Sequence, residues 1–73
     1  MSKIKEYYML TMDYIEDLLL TYFDGDTDKA ELWMETPNPQ LGGVRPINMI
    51  TTGKIEKLKK FIEDAVIKQK GEL

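Results

Sequence analysis

All three prolines of this 73-residue chain, Pro37, Pro39 and Pro46, fall within ten positions, and Gly42 and Gly43 lie between them. No helix can run through that stretch, because proline lacks the amide donor and pushes the residue before it out of the α region. The chain is thereby divided into two helical halves that must fold back on each other to bury anything. At this length one core is the limit, so a single domain over residues 1–73 is expected.

Before the break, Lys3 to Phe23 reads as one amphipathic helix. Ile4, Tyr7, Tyr8, Met12, Ile15, Leu18, Leu19 and Tyr22 share a face at helical spacing, with Glu6, Asp13, Glu16 and Asp17 opposite. Met9, Leu10 and Leu20 fall outside that stripe, among the charges, and are the expected self-association residues of an N-terminal helix over residues 1–23. Asp24-Gly25-Asp26 ends the helix, and Asp26 is placed to cap a second one, Thr27 to Glu35, with Ala30, Trp33 and Met34 inward and Leu32 ambiguous.

After the break, Gln40 to Val44 reads as extended, and Pro46 suits the first position of a short helix, Pro46 to Ile50. Thr51 and Thr52 are candidate N-caps for a last helix from about Gly53 to Gln69, whose stripe is Ile55, Leu58, Phe61, Ile62, Ala65 and Val66; Gly71 marks its end. No segment alternates with period two. The expected class is all-α, with about four helices in the order long, short, short, long.

Composition narrows the chemistry. With no cysteine and no histidine, the chain has no disulfide framework, no zinc site of the usual ligand types, no thiol nucleophile and no imidazole. Asp24, Asp26, Asp28 and Glu35 match positions of a calcium loop, but Lys29 stands where that loop needs glycine, and a capped helix explains the same acids. Asp13, Glu16 and Asp17 lie on a polar helix face rather than in a cleft that would tune a catalytic carboxyl. Gly42 and Gly43 follow no strand and precede no Lys-Ser/Thr, which a phosphate loop requires. Trp33 reads as a core anchor. The expectation is a non-enzymatic protein with no catalytic residue, cofactor or metal.

Residues 1–36 hold three lysines against nine carboxylates and residues 37–73 hold seven Lys/Arg against four, for a net charge of -3. An acidic total lacks the basic surface that phosphate-backbone binding needs, so direct nucleic-acid binding is not expected. The start Met1-Ser2-Lys3-Ile4-Lys5-Glu6 has no signal-peptide core, and no apolar run approaches the roughly 20 residues of a membrane span. A cytoplasmic, membrane-free location is expected.

The run from Ala30 to Ile50 carries a further signal: Trp33-Met34-Glu35-Thr36-Pro37-Asn38, then Leu41-Gly42-Gly43, then Pro46 followed by apolar helix residues, a glycine and a closing helix. This order resembles the toxin-binding domain of the Xre, MbcA and ParS type antitoxins over about Leu18 to Gly71. Met34 stands for the usual leucine, a volume-conserving change, and Arg45 replaces a Ser/Thr cap. The resemblance implies an antitoxin whose partner is a RES-domain, NAD-consuming toxin, inhibited when the antitoxin's C-terminal end covers the toxin's cleft. The family's usual N-terminal helix-turn-helix is not matched by the single acidic helix found here. The contact set so implied is Asn38, Leu41, Gly42, Gly43 and Arg45 of the loop with Lys70, Gly71, Glu72 and Leu73 of the tail, which is expected to reach outward from the last helix. A rival reading is a homodimeric or larger helical adaptor, or an orphan binding protein, that buries Met9, Leu10 and Leu20 between copies.

Overall fold

A computed structural model describes residues 3–69 and Leu73. Its elements are α1 (Lys3–Tyr22), α2 (Thr27–Glu35), a 3-10 turn (Pro39–Leu41), α3 (Pro46–Thr51) and α4 (Ile55–Val66). The all-α class and the long, short, short, long order agree with the sequence reading. Among the described residues, no helix is long and apolar enough to cross a membrane.

The apolar seam of α4 organises the packing. Ile55, Leu58, Ile62 and Ala65 recur at helical spacing and are buried, with Leu58 and Ile62 at 0% exposure. They meet Ile15, Leu18 and Leu19 of α1, Ala30 of α2 and Met49 of α3 in one cluster, against which Phe61 and Val66 are half-buried. Tyr14 ties the two long helices outside the core, its Oη donating to Glu63 Oε2 at 2.6 Å. That bond is the main reason the Tyr14 hydroxyl titrates above its ordinary range.

The stripe expected on α1 needs correction. Ile4, Tyr7, Met12 and Tyr22 are exposed, whereas Thr11, absent from the stripe, is buried. Periodicity locates a helix face correctly but not how much of its length is covered. Leu20 is also corrected: it is half-buried and packs on the core cluster instead of standing free among the charges.

Backbone geometry explains where helices stop. Asp24 takes the left-handed position after α1 at φ 55°, followed by Gly25 at 82°, and the Gly25 N–H closes onto Leu20 O at 2.7 Å. Aspartate tolerates this region better than most residues. Asp26 caps α2 as expected, its carboxylate accepting from Lys29 N–H at 3.1 Å.

Thr51 and Thr52 do not cap the last helix. Their hydroxyls donate back to Asn48 O at 3.1 and 2.7 Å, at the end of α3. The cause is Gly53, at φ 78°: the N–H of Lys54 reaches Met49 O at 2.7 Å and that of Gly53 reaches Ile50 O, which terminates α3 through Thr51 and delays α4 to Ile55. At the far end α4 stops at Val66, short of the expected Gln69, and Gly71 lies outside the described residues.

Open space surrounds Gly53, with nothing within 4 Å of an added Cβ, so only the backbone torsion requires glycine there. Gly53→Ala should therefore lower stability by about 1 kcal/mol. A thermal melt unchanged by the substitution would show that this joint relaxes freely.

Candidate functional site

The connection between α2 and α3 is built around Asn38. Thr36 first ends α2, its hydroxyl donating to Leu32 O at 2.6 Å while the extended backbone enforced by Pro37 prevents another turn. Asn38 is 6% exposed, and its groups point into the loop. Its N–H donates to Val44 O at 3.0 Å, and its O accepts from both Leu41 N–H and Gly43 N–H at 2.9 Å. Its side-chain Oδ1 accepts from Gln40 N–H at 2.9 Å. One buried residue thus closes a loop from Asn38 to Val44, including an isolated antiparallel bridge between those two.

The extended path expected for Gln40 to Val44 is replaced by the 3-10 turn Pro39–Leu41 and two left-handed glycines, Gly42 at φ 76° and Gly43 at 81°. The Asn38 side chain caps the 3-10 turn, which spacing alone does not reveal. Leu41 turns inward and packs on the core cluster. Gly42, Gly43, Val44 and Arg45 face solvent, and buried Pro46 then starts α3. Arg45 occupies the N-cap of α3 without a side-chain capping bond.

Of the five loop positions expected to contact a partner, Gly42, Gly43 and Arg45 are therefore presented, while Asn38 and Leu41 shape the loop from within. In the tail, Lys70, Gly71 and Glu72 lie outside the described residues. Leu73 does not reach outward. It is half-buried against the core cluster, its N–H donating to Tyr22 Oη and its main-chain oxygen accepting from Trp33 Nε1, both at 3.3 Å. Trp33 is itself half-buried and stacks on Phe61 with centroids 6.4 Å apart and planes at 15°. Its expected anchoring role is thus exercised at the edge of the core, where its indole N–H finds a partner.

Of the three residues assigned to self-association, Met9 at 53% and Leu10 at 61% are exposed, whereas Leu20 is not. Ile4 at 70% joins the exposed pair on the amino-terminal half of α1, where no described residue before Thr11 is buried.

One feature escapes sequence inspection altogether. Met12 and Leu20 of α1, Met34 of α2, and Ile47 and Ile50 of α3 line a groove of about 470 Å³, edged by Asp13, Glu16, Glu31, Glu35 and Arg45. These residues belong to elements whose relative placement only the fold sets. Met12 and Met34 read in the sequence as inward stripe residues and Leu20 as lying outside the stripe; that they meet Ile47 and Ile50 in one groove follows from the fold alone.

The loop's organisation predicts unequal effects of substitution at Asn38. Asn38→Ala removes the acceptor for Gln40 N–H in a part-buried site and should cost roughly 1–3 kcal/mol. Asn38→Asp keeps an acceptor at that place and should cost less. Equal melting temperatures for the two variants would mean that the side-chain bond does not hold the loop.

The comparisons with known proteins bear on this same region. No curated protein and no solved structure matches the chain. The model of the antitoxin Xre/MbcA/ParS C-terminal toxin-binding domain matches residues 18–59, from the last turn of α1 through α2, the Asn38 loop and α3 into α4. The match stops short of the Gly71 limit of the sequence resemblance but contains the whole loop. Covering more than half of the sequence, it shows that this chain belongs to the antitoxin Xre/MbcA/ParS C-terminal toxin-binding domain family.

Proposed function

We propose that this protein neutralises a RES-type, NAD-consuming toxin by direct contact, using the outward part of the Asn38 loop together with the chain end. The observation that carries the reading is the position of that loop: it is closed by hydrogen bonds to Asn38 and lies wholly within the family match. Two adjacent glycines leave that surface without side chains, so another protein's backbone can come close, and Arg45 adds a cation that makes no capping bond. The reaction belongs to the toxin. The antitoxin's part is to exclude the dinucleotide from the cleft, which needs surface complementarity and no catalytic group. The family resemblance supports the RES assignment, and Lys70, Gly71 and Glu72 complete the proposed contact set, while Leu73 packs on the core cluster.

Arg45→Asp separates binding from stability. An aspartate at this N-cap can accept from the amides that follow Pro46 and suits the helix dipole, so stability should rise by about 0.5–1 kcal/mol. Protection of cells co-expressing a cognate RES-type toxin, and their NAD content, should fall. Full protection by this variant would remove the loop from the interface. Deleting residues 70–73 should abolish protection too, but Leu73 packs on the core, so that variant should also melt lower.

The exposed Ile4, Met9 and Leu10 favour a second reading, a homodimer formed through the amino-terminal half of α1. Light scattering should then give twice the chain mass, and Leu10→Glu should return the monomer. A monomeric wild type at high micromolar concentration would dismiss it.

A further inference from the structure

We infer that the groove between α1, α2 and α3 is a docking site for a basic amphipathic helix of a protein partner. The inference deepens the toxin-neutralising reading by naming the chemistry of the element that the partner brings. No residue of α4 lines the groove; its floor is the near side of the core, where buried Ile15 and Leu19 of α1 and Ala30 of α2 lie beneath it.

Its lining is apolar but incompletely covered: Leu20, Met34, Ile47 and Ile50 are half-buried and Met12 is 42% exposed. A volume near 470 Å³ is enough for a small cluster of side chains. The two methionines can adapt to the shape of an incoming group.

Charge selects the occupant. Four exposed carboxylates, Asp13 and Glu16 on α1 with Glu31 and Glu35 on α2, face the groove against one guanidinium, Arg45. The ion pairs Lys59–Glu56, on α4, and Lys68–Asp64, at its C-terminal end, engage none of the four. An apolar floor with an acidic rim complements a segment carrying apolar residues on one face and lysines or arginines beside them.

Backbone chemistry selects a helix over an extended peptide. A strand gains affinity by pairing with an exposed sheet edge, whereas the groove walls are helices; among the described residues the isolated bridge Asn38 with Val44 belongs to the loop. A helix brings its backbone bonds satisfied. From Met12 to Leu20 the groove follows nine residues of α1, a rise of roughly 12 Å, which matches about two turns of an occupant with apolar side chains at i, i+4 and i+7.

The test uses the full chain and a synthetic 15-residue helical peptide, with leucines at i, i+4 and i+7 and lysines on the flanks. A twin with glutamate for lysine and a scrambled version serve as controls. Methyl NMR should show saturable shifts at Met12, Leu20, Met34, Ile47 and Ile50, weakening with added salt. The glutamate twin and a Glu31→Arg/Glu35→Arg protein should each bind about ten-fold or more weakly. Circular dichroism checks that the variants stay folded. Absence of saturable shifts, equal binding of the scrambled peptide, or groove resonances of the free protein that move with its own concentration and so mark a second copy as the occupant would each overturn the inference. With a toxin that the wild type neutralises, Glu31→Arg/Glu35→Arg should lose affinity about ten-fold, and undiminished affinity would also overturn it. A wild type that takes the basic peptide into the groove but binds no RES-type toxin would retire the toxin reading and uphold the groove.

Discussion

Burial of Leu58 and Ile62 is the interaction on which the rest of this structure depends. Both are fully enclosed, and the cluster around them takes residues from all four α-helices. Each such burial stabilises by roughly 1.5–3 kcal/mol, a large share of what a domain of this size retains after the chain entropy is offset. The seam also explains the order of the elements. α1 and α4 are far apart in sequence and can meet only if the chain reverses between them, which is the task of the proline- and glycine-rich connection.

That connection has a second consequence. Asn38 satisfies the loop's backbone from inside, through two bonds to its carbonyl, one from its amide and one to its side chain. Because the inner groups are spoken for, Gly42 to Arg45 can be held at the surface in a set conformation. A preorganised loop loses little entropy when it meets a partner, and this is the physical link between the buried asparagine and an interaction role.

Electrostatics follows the same division of labour. The acidic half of the sequence becomes α1 and α2, two of the three helices around the groove, and the basic half supplies the lysines at and along α4, of which Lys54, Lys57 and Lys60 are exposed. A net charge of -3 therefore understates how strongly signed the separate surfaces are. Local sign, more than the total, steers an incoming protein.

Much of this was legible in the residues themselves. The four helices, the bounds of α2, the Asp26 cap, the inward stripe of α4 and Pro46 at the start of α3 follow from local rules: apolar spacing, capping chemistry and the torsions that proline imposes. Those rules act within a few residues, and one sequence contains all their terms. What only the tertiary structure decided is which apolar residues are covered. Ile4 and Tyr7 continue the core face of α1 and yet are exposed, because helix spacing sets direction but not the length of the surface opposite. Leu20 and Leu73 turn inward, and the groove exists, because helices distant along the chain bring walls and partners to those places. Thr51 and Thr52 close α3 in place of opening α4, since the left-handed torsion at Gly53 shifts the boundary past them. Burial depends on contacts between elements, and no local pattern carries that information.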